Sequence, residues 1–298
     1  MKSYIMLVIA AALLSANFVF SKLYQNRKGA SLKAGLMFNA LIGGFSAVFF
    51  FVLNGCKLHF SAYSLVMTSM VSVLGICYYI LGFRILKLGT MTLYTLFLMI
   101  GGMVIPYVWG VLFLEEEFSV LRTLGILLLI LAVALPNLSK QKLSAKLITL
   151  CLLVFCLNGL VSIVSKTHQI AQNHVCVNEK EFIILGGIVK CILAGVLYLY
   201  IRKRKEQKGG DEAKEPVKSG GNAVILLVSF GAAAVSGVSY VLQLQGAAEL
   251  PATVLYPFIT GGSVIFTAVA DRVVFRAKLT KKMVASIFLC FAGTLMFL

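Results

Sequence analysis

The sequence is poor in charge, and above all in acidic side chains. Only 13% of its 298 residues are charged, with 11 Asp or Glu against 27 Lys or Arg. Hydrophobic residues make up 60%, whereas a soluble domain has about 45–50% apolar and about 25% charged residues. One water-soluble core cannot bury that much apolar surface. The composition excludes a soluble enzyme, a disordered chain and a secreted disulfide scaffold, and predicts an all-α polytopic membrane protein.

The motifs of common enzymes are missing as well. The seven cysteines form no C-x-x-C pair, and there is no P-loop, H-E-x-x-H or G-x-S-x-G. All 11 acids fall in loops or at the ends of apolar stretches. A carboxylate inside the membrane is the usual partner of a cationic drug and the usual proton relay. We therefore expect no enzyme activity, no cofactor and no metal, and we disfavour a proton-coupled exporter of cationic drugs.

Long apolar stretches dominate the chain. A membrane helix needs about 20 mostly apolar residues, and ten such stretches are predicted: 3–21, 33–53, 63–82, 89–113, 120–136, 144–165, 181–201, 222–244, 250–270 and 281–298. The segment from Arg202 to Gly220 is the one extended hydrophilic stretch, and it begins with four basic residues. We interpret it as a flexible cytoplasmic linker that touches anionic lipid.

The two halves of the chain repeat one pattern. An N-x3-S motif begins at Asn17 and again at Asn158, and a Gly-Gly pair begins at Gly101 and again at Gly261. The two motifs are 84 positions apart in the first half and 103 in the second. The difference of 19 positions equals the length of the hydrophilic segment 202–220, which lies in the second half. The sequence therefore predicts a duplicated five-helix unit.

The predicted repeats cover residues 1–139 and 140–298. Because five is odd, the second unit must insert upside down relative to the first. Inverted repeats are typical of transporters, whose substrate site lies near the midplane between the halves. Duplication for stability alone is the alternative.

The basic residues predict the orientation. Connections 1–2, 3–4, 5–6, 7–8 and 9–10 together hold 21 Lys or Arg, and the opposite side holds 5. Cytoplasmic loops carry this excess, so both termini are predicted outside the cytoplasm, in a cell membrane. The net charge of +16 is then explained by topology, and no nucleic-acid partner is expected.

Lys190 is the most informative residue, because it lies near the middle of the seventh apolar stretch. A charge there costs about 2.5–3.5 kcal/mol on insertion scales and usually faces a cavity or an ion pathway. We predict a cation of the substrate site. A structural lysine, bonded to helix carbonyls or turned towards a water crevice, is the alternative.

Other polar and aromatic residues are candidates for the same site. Asn17 and Asn158 are the paired amides of the repeat, and either substrate contact or bonding between helices explains them. Tyrosine and tryptophan line organic-solute sites but also form belts at the membrane interface. The aromatic candidates are Tyr79, Tyr240, Tyr256 and Trp109.

The end of each half carries a family pattern. The first half has Leu88-Gly89-Thr90, a helix, the run EEEFS at 115–119 and a Leu-rich helix; the second has LPAT at 250–253, a helix, KLT at 278–280 and a helix. With its ten spans, the chain resembles the EamA-like branch of the drug/metabolite transporter superfamily over nearly its whole length.

This resemblance implies a central cavity lined by helices 1–4 and 6–9, with helices 5 and 10 at the periphery. The family's glutamate before the last helix of each half matches Glu116 or Glu117, but Ala277 stands at the second position. Many family members are thought to keep both termini inside, whereas the charge count here predicts both outside.

The leading hypothesis is a secondary carrier for a small organic metabolite, anionic or zwitterionic because of Lys190, working by alternating access. Its partners would be that metabolite and the lipid bilayer. The alternatives are a flippase for a lipid-linked headgroup and a membrane scaffold that moves no solute.

The orientation predicts the result of a fusion experiment. Alkaline phosphatase fused after Leu298 should be active, because it would lie outside the cytoplasm, and green fluorescent protein fused there should stay dark. A fluorescent fusion without phosphatase activity would contradict the charge count.

Overall fold

The computed structural model describes residues 2–29, 31–88, 91–137, 144–207, 222–276 and 280–298. Within them all the regular secondary structure is helical, as predicted. The ten helices are α1 Lys2–Lys28, α2 Leu32–Leu53, α3 Ala62–Leu88, α4 Met91–Phe113, α5 Val120–Asn137, α6 Ala145–Ile170, α7 Glu179–Gln207, α8 Asn222–Glu249, α9 Ala252–Val274 and α10 Lys281–Leu295.

Eight of the helices in the described residues are long and apolar enough to cross a bilayer. The chain is therefore a multi-pass helical membrane protein. The exceptions are α5, whose apolar part is Val120–Pro136, and α10, which has 15 residues. A helix of that length rises about 22 Å, less than the roughly 30 Å of hydrocarbon. Membrane crossing by α5 and α10 stays a prediction.

The helices continue beyond the apolar stretches. α1 ends at Arg27 and Lys28, where basic side chains suit the negative end of the helix dipole. α7 continues to Gln207, so the start of the predicted linker is helical. The rest of that linker and the predicted boundary between 139 and 140 lie outside the described residues.

The helices of the two halves pack against each other in a regular order. α2 packs on α7, α4 on α9 and α5 on α10. α1 packs on α8 and α9, α6 packs on α3 and α4, and the pairs α2–α8 and α3–α7 complete the most extensive contacts. Each helix of the first half has a counterpart five places further along the chain, so that α1 corresponds to α6 and α5 to α10. If every helix in the list is replaced by its counterpart, the same set of pairs results.

Two glycines form the closest approach of α2 and α7. A Cβ placed on Gly43 would lie 2.7 Å from the carbonyl oxygen of Gly187, and a Cβ on Gly187 would lie 2.7 Å from that of Gly43. The contact is therefore reciprocal and made by backbone on both sides. Small residues allow membrane helices to approach this closely.

Replacing Gly187 by alanine should separate α2 from α7. The new methyl would overlap backbone that has no rotamer to change, so we expect a loss of about 1–3 kcal/mol in the free energy of unfolding. Gly195 on the same helix is the matched control, because a Cβ there meets nothing within 4 Å. Thermal unfolding in detergent should show a lower Tm for Gly187→Ala than for Gly195→Ala. Equal values would contradict the tight crossing.

Candidate functional site

A cavity of about 300 Å³ lies inside the bundle, and we call it the lysine cavity. Its walls come from three helices of each half, α1–α3 and α6–α8. Backbone forms part of the wall where Gly43 and Gly187 cross. Its polar side chains include Ser46, Thr68, Ser72, Ser236, Gln243 and Lys190.

Lys190 lines this cavity. On α7 it stands 11 residues after Glu179 and 12 before Arg202, so about 17 Å of helix separates it from each of these two residues. Among the described residues, its Nζ has no hydrogen-bond or ion-pair partner. The cavity wall contains no Asp or Glu. The cavity thus holds one cationic side chain and no acidic one.

A second cavity of about 180 Å³ adjoins the first, and we call it the asparagine cavity. It lies among α1, α4, α6, α8 and α9. Asn158, Tyr240 and Tyr256, all predicted site residues, line it together with Ser162, Ser165 and Thr260. Its wall is therefore rich in neutral groups that donate or accept hydrogen bonds.

Tyr240 lies between the two cavities. Its ring lines both, with Leu14, Val161 and Gln243. The Ser165 hydroxyl donates to the Val161 carbonyl at 2.8 Å, so the Tyr240 hydroxyl, 2.6 Å from Ser165 Oγ, is the donor to it. The two cavities thus share a wall made of Leu14, Val161, Gln243 and the hydrogen-bonded ring of Tyr240.

Asn158 and Tyr256 are held by backbone carbonyls. The Asn158 amide nitrogen donates to the Leu98 carbonyl at 2.8 Å, and the Tyr256 hydroxyl donates to the Ser162 carbonyl at 2.6 Å. A Cβ on Gly102 would lie 2.6 Å from the Asn158 nitrogen. A side chain at that position would force this amide to shift.

Three predicted residues lie outside both cavities. Tyr79 packs its ring over Gly35 of α2, at a place that a Cβ would fill. Trp109 stacks on Phe113 at 4.1 Å, and its buried Nε1 has no hydrogen-bond partner. The buried Oδ1 of Asn17 also has none within the described residues. The structure brings together Lys190, Asn158, Tyr240 and Tyr256.

Charged side chains from the first half and from α6 hold the connection between α8 and α9. The Glu116 carboxylate accepts from the backbone N–H of Ala252 at 2.6 Å and of Thr253 at 2.8 Å. Lys166, only 5% exposed, donates to the carbonyls of Ala247 at 2.6 Å and Leu250 at 2.7 Å. An anion thus caps the start of α9 and a cation the end of α8, as helix dipoles favour.

Glu181 makes a second buried network at the same end of the bundle. Its side chain is 2% exposed, and it accepts from His59 N at 3.1 Å and Asn178 N at 3.2 Å and lies 2.5 Å from His59 Nδ1. At the opposite end, Lys22 and Asp271 form an ion pair at 2.9 Å with side chains 47% and 31% exposed. Exposed ion pairs of this kind contribute little to stability. Charged side chains therefore stabilise the end of the bundle that holds Glu116, Lys166 and Glu181 more than the opposite end.

The sequence pattern misses several residues of this site. Lys166 falls just past the predicted sixth apolar stretch, 144–165, but α6 continues to Ile170 and buries it. Gln243 and Ser165 have no motif around them. Ser162 does have a signal, since it ends the N-x3-S pattern that begins at Asn158. Tyr78 lines the lysine cavity, although its neighbour Tyr79 was the chosen candidate.

Comparisons with known proteins bear on the fold alone. No protein-family model matches the chain, and no curated protein sequence matches it. One solved crystal structure is similar over 99% of this chain and 98% of the other, with a TM-score of 0.73 and 12% sequence identity. At that identity the likeness establishes a shared architecture, and it carries no information about substrate or activity.

Removing the Glu116 carboxylate should loosen the start of α9. Glu116→Ala deletes both charge-assisted bonds, each worth about 1.5–3 kcal/mol. Hydrogen exchange at the Ala252 and Thr253 amides should therefore accelerate at least about tenfold, since about 1.4 kcal/mol corresponds to a factor of ten. Glu117→Ala is the matched control, because that side chain is exposed and makes no such bond. Unchanged exchange in Glu116→Ala would show that the cap is not formed in solution.

Proposed function

We propose that the protein is a secondary carrier that moves a small organic metabolite, anionic or zwitterionic, across a cell membrane by alternating access. The single observation that carries the proposal is Lys190, a lysine near the middle of the predicted seventh span that lines a cavity and has no hydrogen-bond or ion-pair partner among the described residues. A charged side chain so placed usually marks a substrate or ion pathway. We infer no enzymatic activity.

An inverted duplication of five helices is part of the proposal. The exchange of helix pairs and the reciprocal crossing of Gly43 and Gly187 support it, because a two-fold relation between the halves requires both. The lysine cavity takes its walls from matching helices of the two halves, α1–α3 and α6–α8. Rocking of one half against the other would then open such a site to each side in turn.

The termini and the family belong to the same proposal. We infer that α5 and α10 also reach across the bilayer and that both termini lie outside. The Ser3 hydroxyl bonds Glu249 at 2.7 Å and the Tyr4 hydroxyl bonds the Phe297 carbonyl at 3.3 Å, which supports the two termini sharing one end of the bundle. The architecture is compatible with an EamA-like drug/metabolite transporter.

The size of the site suits a small metabolite. About 300 Å³ in the lysine cavity and about 180 Å³ in the adjoining cavity reach only the lower part of the range for drug-sized ligands, about 300–1,000 Å³. Hydroxyl and amide groups on the walls supply neutral hydrogen bonds. A ligand with one anionic end and a short neutral body fits this chemistry.

Thermal unfolding across a metabolite library tests the proposal, followed by counterflow of the hits in proteoliposomes. A ligand at 100 times its Kd should stabilise the folded protein by about 2.7 kcal/mol. Lys190→Met should lose the stabilisation and the counterflow, whereas Lys146→Met, which changes an exposed lysine of α6, should keep both. Stabilising ligands without counterflow would contradict transport and favour a scaffold. An absence of any soluble ligand would favour a lipid-linked substrate.

A further inference from the structure

Lys190 is notable for what surrounds it. In the wall of the lysine cavity, the other ionisable side chains are Tyr78 on α3 and Tyr240 on α8, while α1, α2 and α6 contribute none. Cys191, next on α7, packs against Gly44 of α2. Both tyrosines are neutral hydroxyl groups, and the Tyr240 hydroxyl already donates a hydrogen bond to Ser165. Within the described residues, no negative group faces the Lys190 ammonium.

An ammonium without a counter-charge is costly in a poorly solvated cavity. Removing its proton eliminates that cost, and so does placing an anion beside it. The proton and the anion therefore stabilise each other's binding. By thermodynamic reciprocity, whatever factor the proton adds to the affinity for the anion, the anion adds to the affinity for the proton.

We infer from this geometry that Lys190 is the coupling group, and that the carrier moves one proton together with one net monoanion. This inference rests on the proposed function. When a monoanion enters, the neutral ε-amine takes a proton from the water on that side and becomes an ammonium paired with the anion. Release on the other side returns the proton to water and leaves the amine neutral, so each cycle transfers no net charge.

The absence of an acidic wall residue also selects the substrate class. A zwitterion would bring its own ammonium into a cavity with one cation and no carboxylate, and it would find only neutral acceptors such as Gln243. A dianion would leave one of its charges without a partner. A monoanion matches the single charge of Lys190, and its neutral hydroxyls match the serines of the wall.

Lys166 cannot serve as an equivalent coupling group. Its Nζ already donates to the carbonyls of Ala247 and Leu250, and it lines neither cavity. Among the residues that the structure describes, Lys190 is thus the one lysine in the walls of the two cavities.

Calorimetric titration of the detergent-solubilised protein in buffers of different ionisation enthalpy tests the inference. The probes are the anions 3-phenyllactate, lactate and benzenesulfonate. They stay ionised between about pH 7 and about pH 10, so any proton taken up on binding is taken up by the protein and not by the ligand. Phenylalanine, compared at about pH 7 where it is a zwitterion, is the matched control for phenyllactate.

For the wild type we expect uptake of up to about one proton per bound anion and an affinity that falls about tenfold per pH unit at the alkaline end. Phenylalanine should bind more weakly than phenyllactate. Lys190→Arg keeps a permanent charge and should bind the anions without proton uptake. Lys190→Met should lose at least about tenfold in affinity, and Lys146→Met should behave as the wild type.

Two results would overturn the inference and leave transport standing: counterflow with anion binding but without proton uptake, or counterflow of phenylalanine in preference to phenyllactate. Failure of all three anions to bind the wild type would also reject the monoanion class. Counterflow of no library compound would reject the proposed function itself. Lys190→Arg decides the proton step even where Lys190→Met fails to fold.

Discussion

Inside a bilayer, a polar group without a hydrogen-bond partner in the protein cannot bond to water instead, so it stays unpaired at a cost in free energy. Much of the structure follows from this constraint. Pro106 in α4 has no N–H and so leaves the Gly102 carbonyl without its helical donor; Ser162 of α6 donates to that carbonyl at 3.5 Å. Serines make the same kind of bond elsewhere, as when Ser239 reaches the Ala10 carbonyl at 2.7 Å. Because polar groups in the bilayer are nearly always hydrogen-bonded within the protein, a polar side chain without a partner calls for a functional explanation.

The same constraint explains how much the sequence could predict. Hydrophobicity alone located the helices, because in lipid a long apolar stretch has no alternative to the helix. Lys190 stood out since a charge in such a stretch is rare. Asn158 was recognisable as an amide with a counterpart in the other half, although its partner, the Leu98 carbonyl, comes from the fold. Local signals were sufficient where the membrane penalises a residue type.

Sequence reasoning was weaker where the function of a residue depends on which helix passes nearby. Tyr78 and Tyr79 are identical in type and adjacent, and only the packing of Tyr79 over Gly35 separates the cavity residue from its neighbour. Lys166 lies just past the predicted sixth apolar stretch, 144–165, and nothing in the local sequence marks it as buried. Its burial depends on the carbonyls of Ala247 and Leu250 at the end of α8, which lie about 80 residues away along the chain.

The crossing of Gly43 and Gly187 has a mechanical consequence. Backbone lies against backbone there, with only the small side chains of Ala47 and Cys191 close by, so the crossing would act as a pivot between the two helices. Lys190 lies three residues from Gly187 on the same helix, about 4.5 Å along its axis. When two helices tilt about a crossing point, residues close to that point move least and the helix ends move most. In the proposed carrier, Lys190 would therefore move little while the ends of the bundle open and close, and the bound anion would meet first one solution and then the other without travelling far itself.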